Sequence, residues 1–204
     1  MLDYAHAKGK PDFFMFGEVY DADPAKLSPY VRDTDMSSVL DFTFQSSAVS
    51  FANGGNTKTL QTLYAGDDRY TTPDSSATAL PTFLGNHDMG RVGYMLQSTP
   101  DALQRDLLAH DLMFLGRGQP VVYYGDEQGF VGTGGDKDAR QSLFASQVPS
   151  WSSGPAIRAS RRSRGAGSGI RRSGRRRGSG VPRGRRRCPR TPARRRSRRR
   201  ADPC

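Results

Sequence analysis

Three stretches of this sequence place ionisable side chains just after apolar runs. Phe13-Phe14-Met15-Phe16 leads through Gly17 to Glu18, and Pro81-Thr82-Phe83-Leu84 leads through Gly85-Asn86 to His87 and Asp88. Pro120-Val121-Val122-Tyr123-Tyr124 leads through Gly125 to Asp126 and Glu127. Carboxylates with a histidine nearby suit general acid–base chemistry. Two carboxylates, one protonated and one ionised, are also what glycosidic-bond cleavage requires. Glu18 follows four large apolar residues, so partial desolvation would favour the protonated form that an acid needs. Metal ligation is the competing reading, because Glu18, His87 and Asp88 are all competent ligands. The sequence holds no HExxH motif and no close histidine pair to support it.

Plainer readings stand beside these. Glu18 alone would be a rim residue, and Asn86-His87-Asp88 alone a turn held by Asn and Asp side chains. Gly125-Asp126-Glu127 reads equally as the start of a loop. His6 and His110 fall on helix-like stretches and read as surface or packing residues. Asp41 sits within a strand pattern and would face a barrel interior without a catalytic task.

The elements that must carry these residues alternate. Continuous apolar runs predict strands buried on both faces, as in a parallel sheet. The runs at 13–16, 39–44, 81–84 and 120–124 qualify. Helix signals lie between them, at Leu2–Lys8, Thr57–Tyr64 and Asp101–Gly116. The last places Leu103, Leu107, Leu108, Leu112 and Leu115 on one stripe and ends in glycine. Strand–helix alternation predicts βα units. Active sites of such folds lie at the carboxyl ends of the strands, so acids placed there would converge on one pocket. Glycine ahead of each acid would let the backbone turn tightly at the rim.

Charge divides the chain in two. The net charge of +11 over 204 residues conceals −8 in residues 1–150 and +19 in residues 151–204. From Trp151 onward Arg, Gly, Ser, Pro and Ala dominate, and Leu, Phe, Tyr, Met, Lys and Glu are absent. Composition predicts a disordered tail, unable to bury enough apolar surface to offset chain entropy. Three accounts of it compete: a polycation binding nucleic acid nonspecifically through phosphates, a solvated linker, and the product of a reading-frame shift near residue 150 in GC-rich coding sequence. Neither a membrane span nor a signal peptide is visible. Both cysteines, Cys188 and Cys204, lie in the basic part, so the acidic part has neither a disulfide framework nor a thiolate metal site.

Taken together, Phe14-Met15-Phe16-Gly17-Glu18-Val19-Tyr20, Thr82-Phe83-Leu84-Gly85-Asn86-His87-Asp88 and Gln119 to Gly129 resemble the alpha-amylase family of glycoside hydrolases (family 13). Their order and spacing match the fifth, seventh and eighth strands of that family's (β/α)8 TIM barrel, with Val39–Gln45 as the sixth. The resemblance covers residues 1–149, leaving 150–204 as the Arg-rich tail. It implies an α/β fold, a partial barrel of roughly strands 5 to 8. It also implies a retaining double-displacement hydrolase acting on an α-glucan.

By that resemblance Glu18 is the general acid/base. Asp88 holds sugar hydroxyls and stabilises the oxocarbenium-like transition state, His87 bonds the same sugar, and Asn86 supports the loop. Arg91 would pair with Asp88 and keep it ionised, while Tyr20 and Tyr124 would line the sugar site. The family's nucleophile, an aspartate ending the fourth strand, has no counterpart before Glu18, where only Asp3 and Asp12 are acidic. The isolated chain is therefore expected to be inactive. The resemblance also implies structural calcium, with ligands partly outside this chain, and an extracellular location. The alternative from a different class is an Arg-rich nucleic-acid binder acting through residues 151–204.

Overall fold

Four short parallel strands follow one another in chain order, each separated from the next by helix. The structure, a computed structural model, describes residues 1–34, 36–132 and 136–144. The readings of the tail fall on residues outside this description. The strands are β1 (Phe16–Gly17), β2 (Ser38–Val39), β3 (Pro81–Thr82) and β4 (Gln119–Pro120). The helices are α1 (Leu2–Ala7), α2 (Pro24–Arg32), α3 (Phe42–Ala52), α4 (Lys58–Ala65), α5 (Val92–Leu96) and α6 (Ala102–Leu115).

Register is set by parallel pairs. Phe16 lies opposite Ser38 and Gly17 opposite Val39, while Pro81 lies opposite Gln119 and Thr82 opposite Pro120. The Asp41 amide donates to the Pro81 carbonyl at 3.0 Å, joining the two pairs across β2 and β3. Two apolar clusters fill the space between strands and helices. One gathers Phe44, Ala48, Leu84, Leu96 and Met113, and the other Leu27, Val39, Phe42, Leu80 and Phe83.

The βα alternation is present, with three corrections to the sequence reading. The Val39–Gln45 run is not one strand, because β2 ends at Val39 and α3 begins at Phe42. Asp41 is the reason. Its carboxylate accepts the Phe44 amide at 2.8 Å, satisfying one of the donors that a helix start leaves open.

The run at 13–16 is not buried on both faces. Phe13, Phe14 and Phe16 are all exposed, Phe16 at 53%. Among the described residues β1 pairs only with β2, so nothing covers its other edge. Val121 and Val122, beyond β4, are exposed for the same reason, since β4 pairs only with β3.

Helix α6 fills nearly the predicted range but turns a different stripe inward. Leu103, Leu108 and Leu115 are exposed, whereas Asp106, Leu107, Ala109, His110 and Met113 are buried. The side chains Asp106, His110 and Met113 recur at helical spacing, and an internal ion pair lets two polar residues occupy the buried face.

Candidate active site

The carboxyl ends of the strands carry most of the residues singled out above. Glu18 stands one position beyond β1, exposed to solvent. The desolvation expected from its apolar neighbours is therefore absent. Two positions further, Tyr20 packs its ring on Phe42 at 4.8 Å, and Phe42 meets Phe83 edge-on at 5.0 Å. This aromatic row links the segment after β1 to the segment after β3, across the end of β2.

Beyond β3 the chain forms a tight antiparallel bridge. The Asn86 and Gly90 amides donate to each other's carbonyls, both at 3.1 Å. Inside the loop, the Asn86 side-chain oxygen accepts the amides of Asp88 (3.0 Å) and Met89 (2.8 Å). Asn86 thus shapes the loop that presents His87 and Asp88, both exposed, with His87 Nε2 3.3 Å from Asp88 Oδ1. Gly85 makes this fold-back possible, because a Cβ there would lie 2.4 Å from the Gly90 carbonyl oxygen. At Gly125 the need is different: its φ of +90° is a left-handed turn that sends the chain from β4 into Asp126.

Arg91 does not pair with Asp88. Its side chain is fully buried, and Nη1 donates to Asp126 Oδ1 at 2.8 Å and to the Tyr124 carbonyl at 2.7 Å. Nε donates to the Gln141 side chain, and the guanidinium packs against the rings of Tyr123, Tyr124 and Phe130. Arg91 is therefore closed off from a ligand at the surface, and the cation beside Asp88 is one the sequence reading missed. Arg140 Nη2 reaches Asp88 Oδ1 at 3.5 Å from 52 positions away, a separation at which sequence spacing gives no signal.

Nor do the acids after β4 converge on the same site. Asp126 turns inward to Arg91, and Glu127 accepts the Gly125 amide at 2.7 Å. Burial pushes the Asp126 carboxyl up to about 6, outweighing the opposite pull of Arg91. Next to it in the interior, His110 Nδ1 lies 2.9 Å from Asp106. Burial disfavours the imidazolium, but the hydrogen bond and charge of Asp106 prevail and raise the pKa of His110. His110 is a packing residue. Tyr124 keeps a partly exposed ring, edge-on to Tyr123 at 4.7 Å.

Three clefts of about 350, 400 and 440 Å³ lie elsewhere, and neither Glu18 nor Asp88 lines any of them. The 440 Å³ cleft is bordered by Ser37, Ala79 and Gln119, at the amino ends of the strands. Among the described residues no three His, Cys, Asp or Glu side chains gather to hold a metal ion. No described helix is long and apolar enough to cross a membrane.

With this geometry in hand, relationships to known proteins are informative. The family model "Alpha amylase, catalytic domain" matches residues 2–165, and the chain belongs to the alpha-amylase family. It is 53% identical over 152 residues to an alpha-amylase of Streptomyces lividans, covering 71% of this chain and 16% of that protein. With alpha-amylase 2 of Schwanniomyces occidentalis it shares 32% identity over 133 residues, covering 65% of this chain and 25% of the relative. The chain thus spans a quarter or less of these relatives.

Solved structures agree on the fold. An Anoxybacillus alpha-amylase superposes with a TM-score of 0.65 at 24% identity, over 78% of this chain and 34% of that one. A Geobacillus thermoleovorans alpha-amylase complexed with acarbose gives 0.62 at 23% identity, with the same coverages.

Proposed function

We propose that the chain carries the acid/base part of a retaining α-glucan hydrolase site, on a partial barrel corresponding to strands 5 to 8. The observation that carries this is the Asn86–Gly90 loop, which holds His87 and Asp88 together at the same end of the strands as Glu18. Glu18 donates a proton to the glycosidic oxygen as the bond breaks and later takes one from water. Asp88 binds hydroxyls of the distorted sugar and stabilises positive charge developing at the anomeric carbon. His87 bonds the same sugar, Asn86 holds the loop, and Tyr20 and Tyr124 offer ring faces at the margin.

Family membership and the acarbose complex of the Geobacillus thermoleovorans relative support an α-glucan as substrate. The matching aspartate nucleophile is not among these 204 residues. The chain by itself is therefore a binder of glucan rather than a catalyst.

Titration of the purified chain with acarbose and maltoheptaose, followed by NMR, tests the proposal. Shifts confined to residues 18–20, 86–88 and 124, with no release of chromophore from a chromogenic maltooligosaccharide, are expected. A chain with no glucan-dependent shifts at millimolar ligand would sink the proposal. Turnover abolished by Glu18→Gln would keep the site and overturn the inactivity.

A further inference from the structure

Arg91 has a fully buried side chain whose hydrogen-bond and ring partners all come from one segment of chain. A buried guanidinium loses hydration worth several kcal/mol, so its partners must be well placed to compensate. Asp126 alone would neutralise the charge. Arg91 also donates from Nη1 to the Tyr124 carbonyl and from Nε to the Gln141 side chain, leaves Nη2 without a hydrogen bond, and packs against the rings of Tyr123, Tyr124 and Phe130. Every one of these groups lies within residues 123–141. Arg91 itself comes directly after Gly90, the closing residue of the loop that presents His87 and Asp88. Its backbone is extended (φ −95°, ψ 144°), so the loop closes into a residue held at its far end.

We propose that Arg91 is a positioning residue, fixing the Asn86–Gly90 loop to the Tyr124–Phe130 segment and so setting where Asp88 stands relative to Tyr124 across the sugar site. The proposal deepens the glucan-hydrolase reading and rests on it for the identity of the ligand. Planarity is what makes the link directional. Arg91 reaches Asp126 and the Tyr124 carbonyl through Nη1 and Gln141 through Nε of one rigid planar group, and a lysine ammonium on a single flexible stem has no such geometry. Asp126 would still be neutralised by lysine, but the loop would no longer be held at a defined distance.

The test is amide hydrogen exchange on the full chain carrying Arg91→Lys, with the double variant Arg91→Met/Asp126→Leu as a second probe that removes the pair without stranding a charge. Exchange at the Asn86 and Gly90 amides should rise at least tenfold in both. The Ala48, Ala52 and Met113 amides, in the cluster of α3 and α6, should stay within about twofold of wild type. Loop amides that exchange as in wild type would overturn the proposal. So would core amides rising in proportion with the loop, because that is the behaviour of a contact that only stabilises.

Maltoheptaose titration of the wild-type and Arg91→Lys chains supplies the second arm, read at the His87 ring resonances. Affinity at least tenfold weaker in Arg91→Lys supports positioning for the sugar. Unchanged affinity overturns it. A wild-type chain that ignores maltoheptaose, while the variant's loop loosens selectively, refutes the glucan reading and upholds the anchor.

Discussion

Arg117, in the turn ahead of β4, donates to Asp41, the residue that caps α3, although the two stand 76 positions apart. The same guanidinium reaches Asp67 at 2.8 Å, so one cation joins the end of β2 to the segment after α4. Asp41 is wholly buried, and burial raises its pKa despite Arg117. Removing one partner of such a pair leaves an uncompensated charge in the interior. Arg117→Met is therefore expected to destabilise the chain by about 3–5 kcal/mol. Asp41→Asn keeps a competent cap and should cost less. Urea midpoints of the two variants check both the loss and its order.

Stability should depend on pH through Asp126. Its folded pKa of about 6 lies above the ordinary 3.8, so the folded chain holds this proton more tightly than the unfolded chain. Stability then falls as pH rises from about 4 to about 6. His110 adds to the same trend at higher pH. Its raised pKa contributes stability below 6.5 that is lost as pH climbs through the folded value. Asp126→Asn should flatten the lower limb and, by removing a charge that helps raise the His110 pKa, weaken the upper one. Urea midpoints at pH 4.5 and 6.5 decide the matter, and a wild-type chain that gains stability over that interval relative to Asp126→Asn contradicts the assignment.

Gly85 is expected to resist substitution even though its φ is not left-handed. A methyl group there meets the Gly90 oxygen at 2.4 Å and the Val92 nitrogen at 3.1 Å, both backbone atoms that cannot swing aside. Gly85→Ala should cost about 1–3 kcal/mol and weaken any glucan response at His87. Thermal unfolding compared with maltoheptaose titration separates the two effects.

The exposed edge at β1 should make the chain associate. Phe14 and Phe16 face solvent with ring centroids 6.1 Å apart, beside a strand paired on one side only. Unpaired edges with apolar side chains template further pairing. Phe14→Lys with Phe16→Lys should raise the concentration at which light scattering appears. Unchanged scattering would place the sticky surface elsewhere.

Local signals were legible in the sequence and long-range pairings were not. The alternation of strands and helices, the range of α6 and the grouping of Asn86, His87 and Asp88 all follow from periodicity, turn chemistry and short spacing. Asp41 was misread because an apolar run with an acid inside it resembles a strand until the acid is seen to cap a helix. The leucine stripe of α6 misled for a related reason. Hydrophobicity alone does not reveal that Asp106 and His110 lie 2.9 Å apart as a buried pair and can take the inner face. Arg91 was assigned to the nearest acid along the chain, whereas its partner, Asp126, is 35 positions away. Arg140 reached Asp88 from still further.

The strand order has a consequence for how such a chain acquires its shape. Each strand finds its partner one βα step further along: β1 beside β2, β2 joined to β3 through Asp41 and Pro81, β3 beside β4. No pairing among them waits for a distant end of the polypeptide. Loop-closure entropy is then met in steps of 22 to 40 residues rather than across the whole chain. A nascent chain can lay down these two strand pairs in the order in which the ribosome delivers them, N-terminal pair first.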